Sequence, residues 1–268
     1  MPRFELEYPK EPYSTVHRKS SRATYALKTI HGIVNGSQLV HVSFQAPDAP
    51  FPAILPMIGQ MGSFERPSAD VADVLDLYLH GYVSSRLMNI SRGAESSGSS
   101  PGLPIAVAAS QVDGLVLALT PNAHSYNYRS AVLFGHATVV TDASEKLYAM
   151  RLITDGIVTG RWDGSRVPPN AAEMQSTSVL RVRIAGGSAK IRTGGPHDDR
   201  CDLGDEAVLD RVWTGVLPVY QTIGAPVAGP YNRVAQVPDH VTAFRDEFNT
   251  DAAELALEAL KEPGKEKE

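Results

Sequence analysis

The stretch from Leu75 to Arg86, LDLYLHGYVSSR, constrains the fold more than any other, because it joins an alternating strand, a glycine turn and the polar start of a helix. Leu75, Leu77 and Leu79 alternate with Asp76, Tyr78 and His80, which predicts one apolar and one polar strand face. Gly81 permits the turn. Ser84, Ser85 and Arg86 then open the next helix, where unpaired backbone N–H groups, hydroxyls and a guanidinium can converge on an anion. Strands followed by Gly and Ser also occur as plain solvated turns, so this stretch alone offers a place for a phosphate without requiring one.

The chain around it reads as one long β-rich body with helical punctuation. Residues 1–21, with Pro2, Pro9 and Pro12, are expected to form an extended arm that wraps something or remains mobile. Residues 22–237 form the expected main domain, and 238–268 a terminal amphipathic helix with a charged tail. Ala26, Ile30, Ile33 and Val34 lie at helical spacing ahead of Asn35-Gly36. Strands are expected over 39–45, 53–58 and 74–79, and over a long segment, 127–140, broken at Gly135 by a bulge or barrel corner. Asp142 and Glu145 have capping-box spacing ahead of an apolar helical stripe from Leu147 to Val158. Asp113-Gly114 is the strongest hairpin signal, predicting paired strands over 105–111 and 115–119. Ala185-Gly186-Gly187 predicts a second turn, between strands 179–184 and 189–192, and a final strand is expected over 212–222.

Composition excludes several function classes. A net charge of −5 and a pI near 5.9 leave no basic surface for nucleic acid. The single cysteine, Cys201, permits neither an internal disulfide nor a cysteine-paired zinc site, and points to a reducing compartment. No apolar run reaches signal-peptide or transmembrane length, so neither membrane insertion nor export is expected, and the default location is cytoplasmic. His197-Asp198-Asp199 invites a metal reading, but consecutive residues in a Gly-Pro loop cannot all face one ion. Neither a GxSxG nucleophile elbow nor a Rossmann glycine fingerprint is present.

With Ile54–Met57 (ILPM), Asn127–Asp142 (NYRSAVLFGHATVVTD), Gly160–Asp163, Ser188–Asp199 and Val212–Tyr220 in the same order, LYLHGYVSSR resembles the flavin-nucleotide-binding branch of the pyridoxamine 5'-phosphate oxidase-like proteins. That branch also contains the nitroimidazole-resistance proteins. The resemblance spans residues 13 to 235. It implies a mainly β (α+β) fold, an FMN-binding split β-barrel with peripheral helices, acting as a homodimer with the cofactor at the subunit interface.

On this resemblance, Ser84, Ser85 and Arg86 hold the flavin phosphate, with Lys190 or Arg192 as a second cation from the same or the partner subunit. The backbone of Ile54, Leu55, Pro56 and Met57 reads the ring edge. Tyr78 and His80 lie along the ribityl chain or ring, Arg129 steadies the cofactor, and Trp213 sits where the superfamily places a tryptophan near the flavin. His80 is the candidate catalytic residue, as proton donor or substrate contact. Arg181 and Arg183 are read as the wet face of a sheet. Two departures weaken inheritance of the oxidase reaction: Arg86 is followed by Leu87 rather than a second cation, and His197 stands where the family has lysine. The expected activity is a flavin-dependent oxidoreductase acting on a small organic substrate, nitro reduction being one option. Its rivals are a non-enzymatic flavin carrier or sensor, and a haem-binding protein on the same barrel with a histidine on the iron.

Overall fold

The computed structural model of the chain describes residues 5–96 and 101–262. Its frame is a nine-stranded antiparallel sheet in the order β3–β2–β6–β7–β8–β5–β4, with β1 added to β8 and β9 to β6. The strands are β1 (Ala23–Thr24), β2 (Val40–Phe44), β3 (Ala53–Met57), β4 (Gly59–Gly62), β5 (Asp76–Tyr82), β6 (Leu103–Leu117), β7 (Ser125–Val139), β8 (Thr177–Arg192) and β9 (Gly215–Pro218). The helices are α1 (Leu27–Asn35), α2 (Arg86–Ser96), α3 (Ala143–Ile157), α4 (Ala171–Ser176), α5 (Arg200–Leu203), α6 (Glu206–Leu209) and α7 (Asp239–Glu258). Two compact units result: residues up to Ser110 with Ser130–Lys190, and Gln111–Arg129 with the residues from Ile191 on. No helix among the described residues is long and apolar enough to cross a membrane.

In the first unit the apolar face of β5 is buried as predicted, with Leu77 and Leu79 fully enclosed, but the polar face is not open throughout: Tyr78 is fully buried as well, between half-buried Asp76 and His80. Asp142 caps α3 by accepting the Glu145 N–H at 2.7 Å, one half of the predicted capping box, while the Glu145 carboxylate turns instead to the Tyr78 hydroxyl and Arg181. The arm wraps the body. Glu7 bridges Ala26, the Tyr8 N–H donates to the Tyr25 carbonyl, and the Tyr8 ring is buried. The Tyr8 hydroxyl meets His31 Nε2 at 2.6 Å, and His31 Nδ1 meets the Val71 carbonyl at 2.9 Å. A carbonyl only accepts, so Nδ1 carries the proton, Nε2 is bare, and Tyr8 is the donor.

Two predicted turns are absent, for the same reason. Asp113-Gly114 lies inside the unbroken 15-residue β6, and Ala185-Gly186-Gly187 inside the 16-residue β8. Asp113 is buried and gripped by Arg129 from β7 through two hydrogen bonds of 2.9 and 2.8 Å, and a Cβ on Gly114 would lie 2.8 Å from Val216 of β9. A Cβ on Gly187 would meet Leu133 at 2.8 Å, and one on Gly186 would meet Tyr13 of the arm at 3.2 Å. These glycines let neighbouring chain approach the sheet rather than turn it. Gly135 likewise sits within β7, where a Cβ would fall 2.4 Å from the Arg183 carbonyl oxygen.

The second unit is tied together around Arg192, which is 3% exposed. Its guanidinium donates to Asn127 Oδ1 and to the carbonyls of Gly195 (2.9 Å) and Gly194 (3.5 Å). Asn127 Nδ2 in turn donates to the carbonyls of Gly194 at 3.0 Å and of Ala259, just past α7, at 2.8 Å. The predicted final strand shrinks to β9, and the terminal helix forms as α7 with Pro238 as its cap. Residues 263–268 of the charged tail, and 97–100 of the loop after α2, lie outside the described residues.

Candidate functional site

The turn from β5 into α2 is built as a rigid step. The Ser85 N–H donates to the Tyr82 carbonyl at 3.0 Å, and Asn89 returns to it with its backbone N–H on the Ser85 carbonyl and its side chain on that of Ser84. Arg92, which sequence reasoning did not single out, braces the turn from one helical turn further on by donating to the Val83 carbonyl at 2.6 Å and to Ser178 Oγ at 3.2 Å. Ser84 and Arg86 are exposed and Ser85 half-buried, and the first turn of α2 holds no acid to repel an anion. Arg86 rests on Asp48 at 2.9 Å, which holds the Asp48 carboxyl below its ordinary range; both partners lie in water, so the guanidinium is cheaply released.

Gly81 brings a second element to this step. A Cβ there would meet Met88 Cε at 3.1 Å, Ser85 Oγ at 3.9 Å and Met57 Cε at 4.0 Å. Met57, at the end of β3, and Ser85, at the head of α2, therefore converge on one glycine. β3 is a sheet-edge strand with Ile54 63% and Leu55 37% exposed, Pro56 exposed, and Phe51 ahead of it 77% exposed. Pro56 lies opposite His41 on β2.

Strand alternation sends His80 to the face of β5 opposite Gly81. It is half-buried, lies across from Val179 on β8, and its Nδ1 is shut from solvent with no hydrogen-bond partner among the described residues. Burial lowers its pKa, so the imidazole is neutral at pH 7. Tyr78, on the same face, leaves no surface of its side chain open: it is fully buried under α3, in a cluster with Val140, Ala149 and Ile153. Its hydroxyl donates to Glu145 Oε1 at 3.0 Å, and burial with that carboxylate pushes its pKa up.

The other predicted cations are committed elsewhere. Arg129 is clamped on Asp113, Lys190 holds the arm by donating to the Arg18 carbonyl at 2.7 Å, and Arg192 is the buried hub of the second unit. Trp213, in the second unit, is 64% exposed. Arg181 is not a wet-face residue. Its side chain is 18% exposed and meets Glu145 at 3.0 Å, Glu65 at 3.2 Å and Asp76 at 3.9 Å, while Arg183 is exposed as expected. Three carboxylates around one guanidinium leave an excess of negative charge.

Burial raises the Asp76 carboxyl against the pull of Arg181. With the folded value raised, the stability gained by protonation is full below the ordinary 3.8 and is lost as pH rises through the raised value. Asp76→Asn, which fixes the neutral form, is expected to melt above the wild type at pH 7, with the gap closing as pH falls towards 3.8. Thermal scans across that range check it, and a variant that melts lower at pH 7 refutes it.

With this geometry, known structures can be compared. The chain is similar to the flavocytochrome Anf3 from Azotobacter vinelandii, at 27% identity over 89% of this chain and 99% of that one, with a TM-score of 0.71. It is also similar to the FAD and heme binding protein from Mycobacterium smegmatis, at 25% identity over 84% of this chain and 97% of that one, with a TM-score of 0.67. A putative 5-nitroimidazole antibiotic resistance protein from Bacteroides thetaiotaomicron matches at 16% identity over 63% of this chain and 86% of that one, with a TM-score of 0.46. No curated protein matches the chain. Residues 27–191 match the family model for pyridoxamine 5'-phosphate oxidase, and together with the antiparallel sheet and the turn from β5 into α2 this makes the chain a member of the pyridoxamine 5'-phosphate oxidase family, with its split-barrel fold.

Proposed function

We propose that this protein is a homodimeric flavin- and haem-binding oxidoreductase, with the flavin phosphate at Ser84, Ser85 and Arg86, the ring edge along Ile54–Met57, and His80 as a ligand of the haem iron. The carrying observation is His80: a half-buried imidazole whose solvent-free Nδ1 has no partner among the described residues, on the strand that leads into the proposed phosphate turn. An orphaned polar atom of this kind costs about 1–3 kcal/mol in a folded protein. Turning the ring to set this nitrogen on a haem iron would remove that cost, and a ligand must be neutral, which is the form that burial favours here. The same property argues against His80 as a proton donor at neutral pH.

The flavin site fits the residues present. Two hydroxyls, the first N–H groups of α2 and a guanidinium held only by a surface ion pair provide anion donors without rearranging the core. Lys190, Arg129 and Arg192 are not needed for it. The expectation of FMN widens to a flavin nucleotide, since the Mycobacterium smegmatis relative is an FAD and heme binding protein. The flavin supplies one- and two-electron chemistry and the haem one-electron chemistry. This chain's part is to hold both and to govern what small molecule reaches them. The exposed apolar edge of β3 is the surface on which a second copy would complete the site.

The test is the spectrum of the purified protein, supplied with haem during expression. Flavin absorbance and a Soret band are expected together, with FAD and FMN told apart by the mass of what denaturation releases. His80→Ala should lose the Soret band and keep the flavin. A Soret band that survives in His80→Ala overturns the assignment of the ligand. Flavin without haem in the wild type overturns the two-cofactor reading and leaves a flavoprotein. Reduction of the bound flavin by NADH or NADPH, with reoxidation by an acceptor, separates an enzyme from a carrier or sensor.

A further inference from the structure

Between β9 and α7 the second unit puts out a tongue that nothing among the described residues covers. Every residue from Gly224 to Asp239 is exposed, including Val227 at 92%, Tyr231 at 90% and Val234 at 61%. This is not the composition of a solvated linker: Arg233 and Asp239 are its only charged residues. Nor is it conformationally free. At its root, Asn249 of α7 exchanges two hydrogen bonds with the Ile223 backbone, at 2.7 and 3.0 Å, and Arg245 donates to the Gly224 carbonyl at 2.9 Å. Its far end runs into Pro238, the cap of α7. At the tip, the Asn232 N–H closes on the Gly229 carbonyl at 3.0 Å, with Pro230 at the position where its fixed φ favours such a turn, and the Asn232 side chain donates to the Val234 carbonyl at 2.8 Å.

We infer that this tongue docks on a second copy of the chain, with Tyr231 and Val227 as its anchors. The inference rests on the homodimer reading above and adds the element that grips the partner. A pre-ordered apolar segment gains by burial while losing little entropy on docking, and tyrosine is among the residues that dominate such contacts. The same chain carries an acceptor surface of matching chemistry, the uncharged sheet edge with Phe51, Ile54 and Leu55 exposed. Standard interfaces use about 20–30 residues a side, and a tongue together with an edge strand approaches that size.

The full chain as purified, with its cofactors, is examined by sedimentation over a range of concentrations, beside Val227→Asp/Tyr231→Asp. The wild type is expected to be a dimer and the double variant to dissociate about tenfold or more readily, with an unchanged melting temperature once monomeric, because both side chains are exposed. A wild type that is monomeric throughout removes the homodimer reading and the tongue with it. A dimeric wild type whose variant dissociates no more readily removes the tongue alone. A photo-crosslinker at position 231, in exchanged mixtures of isotopically light and heavy copies, should give light–heavy crosslinks. Crosslinks confined to one copy, or a tongue shielded by cofactor in a monomer, overturn the inference.

Discussion

Acidification from pH 7.5 to 4.5 is expected to cost this protein about 2.5 kcal/mol of stability through His31 alone, most of the roughly 3.4 kcal/mol that a shift of this size carries in full. His31 is completely buried, and burial pushes its pKa from the ordinary 6.5 down to about 4. Between those values the unfolded chain binds a proton that the folded chain refuses, so the stability present above 6.5 is lost as pH falls towards 4. Geometry gives the reason. Nε2 stays bare to accept the Tyr8 hydroxyl at 2.6 Å, and a proton there would force that buried hydroxyl to turn its own hydrogen away and become the acceptor. The arm therefore loosens with the titration. His31→Gln has no titratable group, and its stability should fall less steeply over the same range; equal slopes for the two proteins would refute the assignment. Asp76 works in the opposite direction, which makes the difference between His31→Gln and wild type the quantity to read.

Arg192→Met is expected to lower stability by about 3 kcal/mol or more, because it leaves a buried side-chain oxygen and two backbone carbonyls without their charged donor. In a chain of this size that corresponds to a melting temperature lower by roughly 6–12 °C. The side chain reaches Asn127 and the carbonyls of Gly194 and Gly195, and Asn127 continues the network to Ala259, so the loss should appear as release of the C-terminal helix. Hydrogen exchange resolved to α7 checks this directly. Unchanged melting with loss of bound flavin would instead return Arg192 to the phosphate role that the family resemblance implied.

The parts of the fold legible in the sequence are those fixed by near neighbours. Asp142 caps α3, Pro238 precedes α7, and the alternation of Leu77 and Leu79 sets their burial without reference to the rest of the chain. Asp113-Gly114 and Ala185–Gly187 misled because local turn chemistry was overruled by distant partners: Arg129 grips the aspartate, while Val216, Leu133 and Tyr13 press on the glycines. The four residues of β4 carry no alternation to read, and all are buried. In the site, Met57 and Ser85 do converge on Gly81. The cations went astray because a sequence shows that an arginine exists and not which acceptor claims it: Asp113, the Arg18 carbonyl and the Asn127 network each took one.

The pairing of Ala23 with Lys190 orders events during synthesis. At about 5–20 residues per second, the ribosome needs roughly ten to thirty seconds to make the strand that receives the first one. Throughout that interval Lys190 does not yet exist to take the Arg18 carbonyl, and β5 lacks its partner in β8. The nascent chain thus exposes an open ribbon rich in leucine, and the yield of folded protein should depend on translation speed and on chaperones that shield such ribbons, while the finished molecule's stability does not.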